Sequence, residues 1–293
     1  MRIEDFLDYL RLERNYSALT VVKYEASLRM FEEFFKGENA TVTWEDVDAD
    51  LIRDWMESMM DSGNSASTVN GRLSAVRSFY RYALKRGMVA KDPAYGVTGP
   101  KKEKPLPKFV REKDMDALLS PEMWTSSYDD ACARTILLTF YETGIRIAEM
   151  VSLNDEMVDF VNRQLKVTGK RNKQRIIPFG AELAETLTEY MKIRDEQVER
   201  CEKGLFLTAK GRRMTDPQVR KLVKEQLGRV TTQQKRTPHV LRHTFATVML
   251  NHEAGLESVR QLLGHESLAT TEIYTHTTFE QLKKIYNKAH PRS

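Results

Sequence analysis

Cysteine is scarce in this chain. Two thiols, Cys132 and Cys201, are spread over 293 residues. They are too few to staple a disulfide framework and point to a reducing, cytoplasmic setting. Long apolar runs are also missing, and none approaches the ~18 residues of a membrane span. The opening MRIEDFLDYL places acids where an export signal needs an apolar stretch. No GxxxxGK[ST] loop occurs, so the backbone cradle of P-loop nucleotide enzymes is not encoded. Histidine is limited to six positions, none in a His-Glu-x-x-His zinc motif. These absences exclude an integral membrane protein, a secreted disulfide scaffold and a zincin. What remains is a globular mixture, 41% hydrophobic and 30% charged, too apolar for a disordered chain. Its length fits two domains.

Acids are absent from one long stretch. Residues 62–91 hold Arg72, Arg77, Arg81, Lys85, Arg86 and Lys91 and no Asp or Glu. Elsewhere the imbalance is broader: residues 1–100 carry 13 Lys/Arg against 16 Asp/Glu, and residues 101–293 carry 33 against 26. Basic residues segregated in this way point to a polyanionic partner. A solvated helix face is the plainer reading of the same residues.

Four of the nine prolines fall between 93 and 107. The stretch around them is polar, carries Lys101, Lys102, Lys104 and Lys108, and cannot run as a helix. It divides the chain into a first domain at 1–97, an extended linker at 98–110 and a second domain at 111–293. The first domain reads as all helix. Ser17 caps a stripe of Val21, Tyr24, Leu28, Phe31 and Phe35, with Gly37 as its stop. A second helix is expected over 45–61, packed through Leu51, Ile52, Trp55 and Met59. A third is expected over 67–86, with Leu73, Val76, Tyr80 and Leu84 inward and Gly87 after it. On its flank Arg77, Arg81 and Lys85 stand four residues apart, which suits a helix laid along DNA phosphates.

The second domain reads as helices near 128–142, 181–195, 215–228, 239–252, 256–263 and 278–288, with a small sheet. Leu165–Val167 and Arg175–Pro178 flank a polar turn and predict a β-hairpin. Leu205–Leu207 is the expected third strand.

Four segments could carry chemistry. Arg146 follows Gly144 at a helix start, where the dipole disfavours a cation unless an anion such as Glu149 or a phosphate stands nearby. Lys170 sits on the hairpin turn, where a lysine usually serves solubility. His239 and His243 have a zinc-compatible i, i+4 spacing, but no further ligand pattern accompanies them, and no metal is expected. His265 follows Leu262-Leu263-Gly264, and Tyr274 follows nine residues later. Taken singly, a tyrosine there is most often packing.

Together and in order, Arg146, Lys170, His239-x-x-Arg242, His265 and Tyr274 resemble the tyrosine recombinase (phage integrase) family, most closely its bacterial Xer type. The likeness extends to the amino-terminal half, where Ser17, Thr20, Tyr24, Leu28 and Phe31 resemble the family's first long helix. One departure is Arg171, where the family's lysine turn usually has a second glycine. The resemblance implies a mainly α, two-domain fold. A helical-bundle, SAM-like core-binding domain would precede an α-rich catalytic domain with a small antiparallel β-sheet, the DNA breaking-rejoining fold. It implies Tyr274 as nucleophile, Arg146 and Arg242 as phosphate clamps, Lys170 as general acid, His239 as proton acceptor, His265 as a phosphate ligand and Glu149 in support. Arg72, Arg77, Arg81, Lys85, Arg86, Lys101, Lys102 and Lys104 are the expected DNA contacts.

Physics supports such a site. Guanidinium forks match nonbridging phosphate oxygens bidentately and supply the charge a metal ion supplies elsewhere. A 3′-phosphotyrosyl link conserves the bond energy, so religation needs no ATP and no cofactor. The implied partners are double-stranded DNA, a homotetramer or a heterotetramer with a second recombinase, exchange of residues 278–293 between protomers, and a septal DNA translocase. No membrane partner is expected. A start directly at the first long helix favours chromosome-dimer resolution over the integrase or invertase of a mobile element. A non-catalytic architectural DNA-binding protein is a third reading, disfavoured because all six residues are present. His243 and His276 are expected to make structural hydrogen bonds, and His252 and His290 to lie at the surface.

Overall fold

The computed structural model describes residues 1–102, 108–169, 173–264 and 276–292, the last from 281 onward with side chains. The chain forms two compact units, Met1–Pro105 and Leu106–Ser293. No helix among the described residues is long and apolar enough to cross a membrane.

The first unit is a helical bundle of α1 (Ile3–Asp8), α2 (Ala18–Glu38), α3 (Ala49–Asp61) and α4 (Ala66–Lys85), with a π-type turn at Tyr9–Glu13. The starts of the three long helices are side-chain caps. Ser17, Asp48 and Ser65 accept from the backbone N–H groups of Thr20, Leu51 and Thr68, donors a helix start otherwise leaves unpaired. Aromatic rings fill the core: Phe31 lies 4.7 Å from Trp55, and Trp44 lies 4.6 Å from Phe79. The buried Tyr80 hydroxyl donates to the Trp44 carbonyl at 2.9 Å, and burial holds its phenol far above the usual range.

Several expectations need correction here. The second helix begins at Ala49 rather than 45, because Asp48 caps it and Asp46 closes a separate turn by accepting from Thr43. Gly37 does not stop α2, which runs on to Glu38. Leu84 is 43% exposed instead of inward, and Phe79 and Ala83 take the buried face with Val76 and Tyr80. α1 went unforeseen because it is too short for a period to show.

The second unit is built around α6 (Tyr128–Thr143), which is buried on nearly every side and packs against α8 (Ala181–Gln197), α9 (Asp216–Leu227) and α10 (Pro238–Asn251). α5 (Glu112–Leu119), α7 (Ile147–Val151), α11 (Leu256–Leu263) and α12 (His276–Ala289) complete the helices. The sheet is antiparallel, in order β1 (Val158–Asp159), β2 (Gln164–Thr168), β3 (Gln174–Pro178). Leu165 pairs with Ile177 and Val167 with Arg175, so alternate residues of the hairpin face the core. The expected third strand at 205–207 is corrected to β1. Leu205 instead donates to the Leu153 carbonyl, and Leu207 makes a single bridge to Arg213.

A smaller core joins α10, α11 and α12 through Phe245, Met249, Leu262, Leu282, Tyr286 and Ala289. α12 thus lies on its own chain. Its anchor is polar as well. Glu142, at the end of α6, accepts through Oε2 from the Gly180 N–H at 2.7 Å and from the Tyr286 hydroxyl at 3.2 Å. Burial pushes Glu142 up to about 8, and its Oε1 has no partner among the described atoms. The acid proton belongs on that oxygen. His290 is corrected from surface to buried, at 3% exposure. It stacks on Tyr286 at 5.3 Å and donates from Nε2 to the Tyr141 carbonyl at 3.3 Å. Burial, with Arg292 nearby, pushes it down to about 4, so the ring is neutral. Arg292 closes the segment on Glu182 and Asp116.

Candidate active site

α6 ends at Gly144, whose φ of 57° is a left-handed turn that favours glycine. A β-carbon there would come within 2.6 Å of the Phe245 ring. The reversal sets Arg146 as N-cap of α7, at the unfavourable end of the helix dipole. Glu149 is the anion that compensates. It accepts from the Arg146 backbone N–H at 2.8 Å and from Arg146 Nη1 at 3.0 Å.

Arg242 reaches the same place from inside α10. It is 5% exposed, and its Nη1 and Nη2 donate to the carbonyls of Gly144 at 2.5 Å and Leu263 at 2.6 Å. Arg146 Nη2 donates to the next carbonyl, Gly264, at 2.6 Å. A third arginine completes the row: Arg175 of β3 donates from Nε to Leu262 at 3.3 Å and grips Glu149 with both terminal nitrogens. Three guanidiniums thus meet the three carbonyls of residues 262–264, at the negative end of α11. Burial and the neighbouring Arg146 and Arg175 push Arg242 down to about 9. Glu149 is held below the usual carboxylate range, because Arg175 and Arg146 outweigh its own burial.

His239 lies on the exposed side of α10, with its ring 6.2 Å from that of His243. Burial, His243 and Arg242 push it below the usual imidazole range, so at neutral pH it has a lone pair to offer. No group of three metal-ligating side chains occurs among the described residues. Lys170, His265 and Tyr274 lie outside the described residues, as does Lys104. Of the basic residues of α4, Arg81 and Lys85 are exposed. Arg77 donates to the Val97 carbonyl, Arg72 turns to the Met59 sulfur, and Arg86 pairs with Glu13.

Arg175 is the residue that sequence reasoning missed. Its signal was available: it stands two positions before the buried Ile177 and opposite the buried Val167. A charged residue on the inward face of a strand needs an anion waiting for it.

Residues 108–281 match the model of the phage integrase family, and residues 3–87 that of its N-terminal SAM-like domain. The chain is 37% identical to tyrosine recombinase XerC of Chlorobaculum tepidum, over 99% of this chain and 94% of the relative. It is 32% identical to tyrosine recombinase XerD of Oceanobacillus iheyensis, over 99% and 98%. Among solved structures, the XerH recombinase bound to palindromic difH substrate superposes with a TM-score of 0.72, at 23% identity, covering 97% of this chain and 83% of that one. The Tn1549 transposon integrase in complex with circular intermediate DNA gives 0.71 at 19% identity, covering 95% and 97%. The chain belongs to the phage integrase family of tyrosine recombinases, enzymes that cut and rejoin DNA. The mainly helical two-part fold expected from the sequence is borne out.

Proposed function

We propose that this chain is a Xer-like site-specific recombinase whose phosphate clamp is Arg146 with Arg242. The observation that carries the reading is the convergence of these two guanidiniums on adjacent carbonyls. A phosphodiester presents a similar pair of oxygens with a full negative charge. Arg146 keeps 35% of its side chain exposed, an edge available to such a ligand. In the proposed step the Tyr274 phenol oxygen attacks phosphorus and gives its proton to His239. The bond to the 5′-oxygen breaks, and Lys170 supplies the proton that oxygen needs. His265 hydrogen-bonds a nonbridging oxygen, and Glu149 steadies Arg146. The products are a 3′-phosphotyrosyl link and a free 5′-hydroxyl, which reverse on a partner strand.

The DNA-binding part is assigned to residues 1–97 and the catalytic part to 111–293, joined by 98–110. Arg72, Arg81, Lys85, Arg86, Lys101, Lys102 and Lys104 would follow phosphates, and Arg77 less so. Exchange through a Holliday junction would use four protomers, of this chain alone or with a second recombinase, after α12 leaves its own bed. The likeness to proteins named tyrosine recombinase XerC and XerD supports the Xer assignment; in this reading the chain would act in the cytoplasm, resolving chromosome dimers at cell division with a septal translocase as its regulatory partner.

The test is covalent trapping in the native cell, followed by sequencing of the attached DNA and by strand cleavage in EDTA without nucleotide. The wild-type chain should be recovered on one recurrent chromosomal site, and Tyr274→Phe on none. Recovery on the ends of a mobile element would replace the chromosomal role by integration. An adduct formed by Tyr274→Phe, or no adduct from the wild type, sinks the reading.

A further inference from the structure

Arg175 has no task in the chemistry just described, yet it is the most committed of the three arginines. Its side chain is 10% exposed. Nη1 lies 2.5 Å from Glu149 Oε1 and Nη2 lies 2.9 Å from Oε2. Nε holds the Leu262 carbonyl, and the side-chain δ-carbon runs so close under Gly264 that a β-carbon there would meet it at 3.0 Å. Glu149, 3% exposed, is therefore shared between Arg175 and Arg146.

We infer that Arg175 is a positioning residue for strand cleavage: by occupying both oxygens of Glu149, it prevents that carboxylate from capturing the whole Arg146 fork. The inference rests on the recombinase reading of the Arg146–Arg242 site. A carboxylate offers about four lone-pair directions. Arg175 takes one on each oxygen, the Arg146 backbone takes a third, and Arg146 Nη1 takes the last. The Arg146 side chain thus meets Glu149 through Nη1 alone, while Nη2 rests on the Gly264 carbonyl, which orients the fork and leaves its remaining N–H groups for a ligand. Without Arg175 one position on each Glu149 oxygen falls vacant, and an Arg146 fork that turns to fill them forms a bidentate Arg146–Glu149 pair. That pair competes with phosphate, and the half-neutralised carboxylate repels it. If Arg175 only supported the packing of β3 and α11, the charge on Glu149 would be irrelevant to the effect of losing it.

The probe is a nicked suicide duplex carrying the DNA sequence recovered by covalent trapping. Five chains are compared with the wild type: Arg175→Met, Glu149→Gln, the double variant of these two, Arg175→Lys, and Arg175→Lys with Glu149→Gln. Arg175→Met should bind the duplex with unchanged salt dependence but form the phosphotyrosyl adduct about 30–100-fold more slowly. The double variant should return to within about threefold of Glu149→Gln alone, a strongly non-additive cycle. Arg175→Lys keeps the charge but cannot span both oxygens. It should fall between wild type and Arg175→Met, and Glu149→Gln should relieve it too, which preserves the comparison if the Met variant does not fold. The inference is overturned if Arg175→Met cleaves at the wild-type rate, or if neither Arg175 variant is relieved by Glu149→Gln while its melting temperature matches the wild type. Arg146→Ala is run alongside. If it cleaves normally, the clamp assignment fails and not merely the role of Arg175.

Discussion

Replacing Glu142 by Gln should remove a pH dependence from the bed on which α12 lies. A glutamate titrates near 4.5 in the unfolded chain and at about 8 in this fold. The folded chain therefore holds the proton more tightly than the unfolded one. The stability this confers is complete below about pH 4.5 and is lost as pH rises through 8. Between pH 6.5 and 8.5 the loss is about 2 kcal/mol, roughly 30-fold in the local opening equilibrium. The buried His290 is pushed down to about 4 and is neutral in the folded chain throughout, while in the unfolded chain it loses its last proton near the lower edge of that window; this offsets the loss by only about 0.4 kcal/mol, and equally in both proteins. Gln keeps an oxygen to accept from the Gly180 N–H and the Tyr286 hydroxyl, and has no proton to lose. Hydrogen exchange of peptides from α6 and α12, divided by intrinsic rates, reads the effect directly. Wild-type peptides should lose about 30-fold in protection over the window, and Glu142→Gln peptides should change little. Equal losses in the two proteins would show that the carboxyl is ionised at neutral pH and that the argument from its unpartnered oxygen is wrong.

Four further outcomes are expected. Arg81→Ala with Lys85→Ala should flatten the slope of log affinity against log salt by about 2, close to one per lost phosphate contact. Arg77→Ala should instead destabilise the first unit by about 1–2 kcal/mol in urea unfolding, because it strands the Val97 carbonyl. Gly144→Ala pays both for a left-handed φ and for a β-carbon against Phe245, and should lower the stability of the second unit by at least about 1–3 kcal/mol in thermal melts. Lys170→Ala should slow cleavage by about 10²–10⁴ and regain most of that rate on DNA with a 5′-bridging phosphorothiolate, whose thiolate leaves without a proton. Arg242→Ala should gain nothing from the sulfur.

The long helices were legible because each buries one stripe and starts on a capping side chain. Val21, Leu28, Phe31 and Phe35 are buried as their spacing predicts. What failed was local. Leu205-Phe206-Leu207 is buried as a strand would be, but its backbone bonds go to a loop and to single partners, which composition does not encode. His290 looks superficial because only three residues follow it in the sequence, and its three aromatic neighbours come from α6, α10 and α12. In the site, Arg146, Glu149 and Arg242 were named from motif spacing. Arg175 belongs to no motif and becomes visible only when the alternation of β3 is set against the burial of Val167 and Ile177. Likewise, Arg77 shares a helical stripe with Arg81 and Lys85, but only the fold shows that it is already occupied by Val97.

The three arginines around Glu149 leave two positive charges unmatched among the described residues. A resting phosphodiester carries one negative charge. As a fifth oxygen bonds to phosphorus, it acquires a second. On the proposed reading, in which the charge of Lys170 goes with its proton to the leaving oxygen, the arginines' excess of two is complementary to the strained, half-broken linkage rather than to intact DNA. Ordinary duplex is then held with one charge still unanswered, and the answer arrives only while the strand is being cut. Replacing one nonbridging oxygen by a methyl group would remove that match, leaving a backbone the protein still embraces along its length but has little electrostatic reason to break.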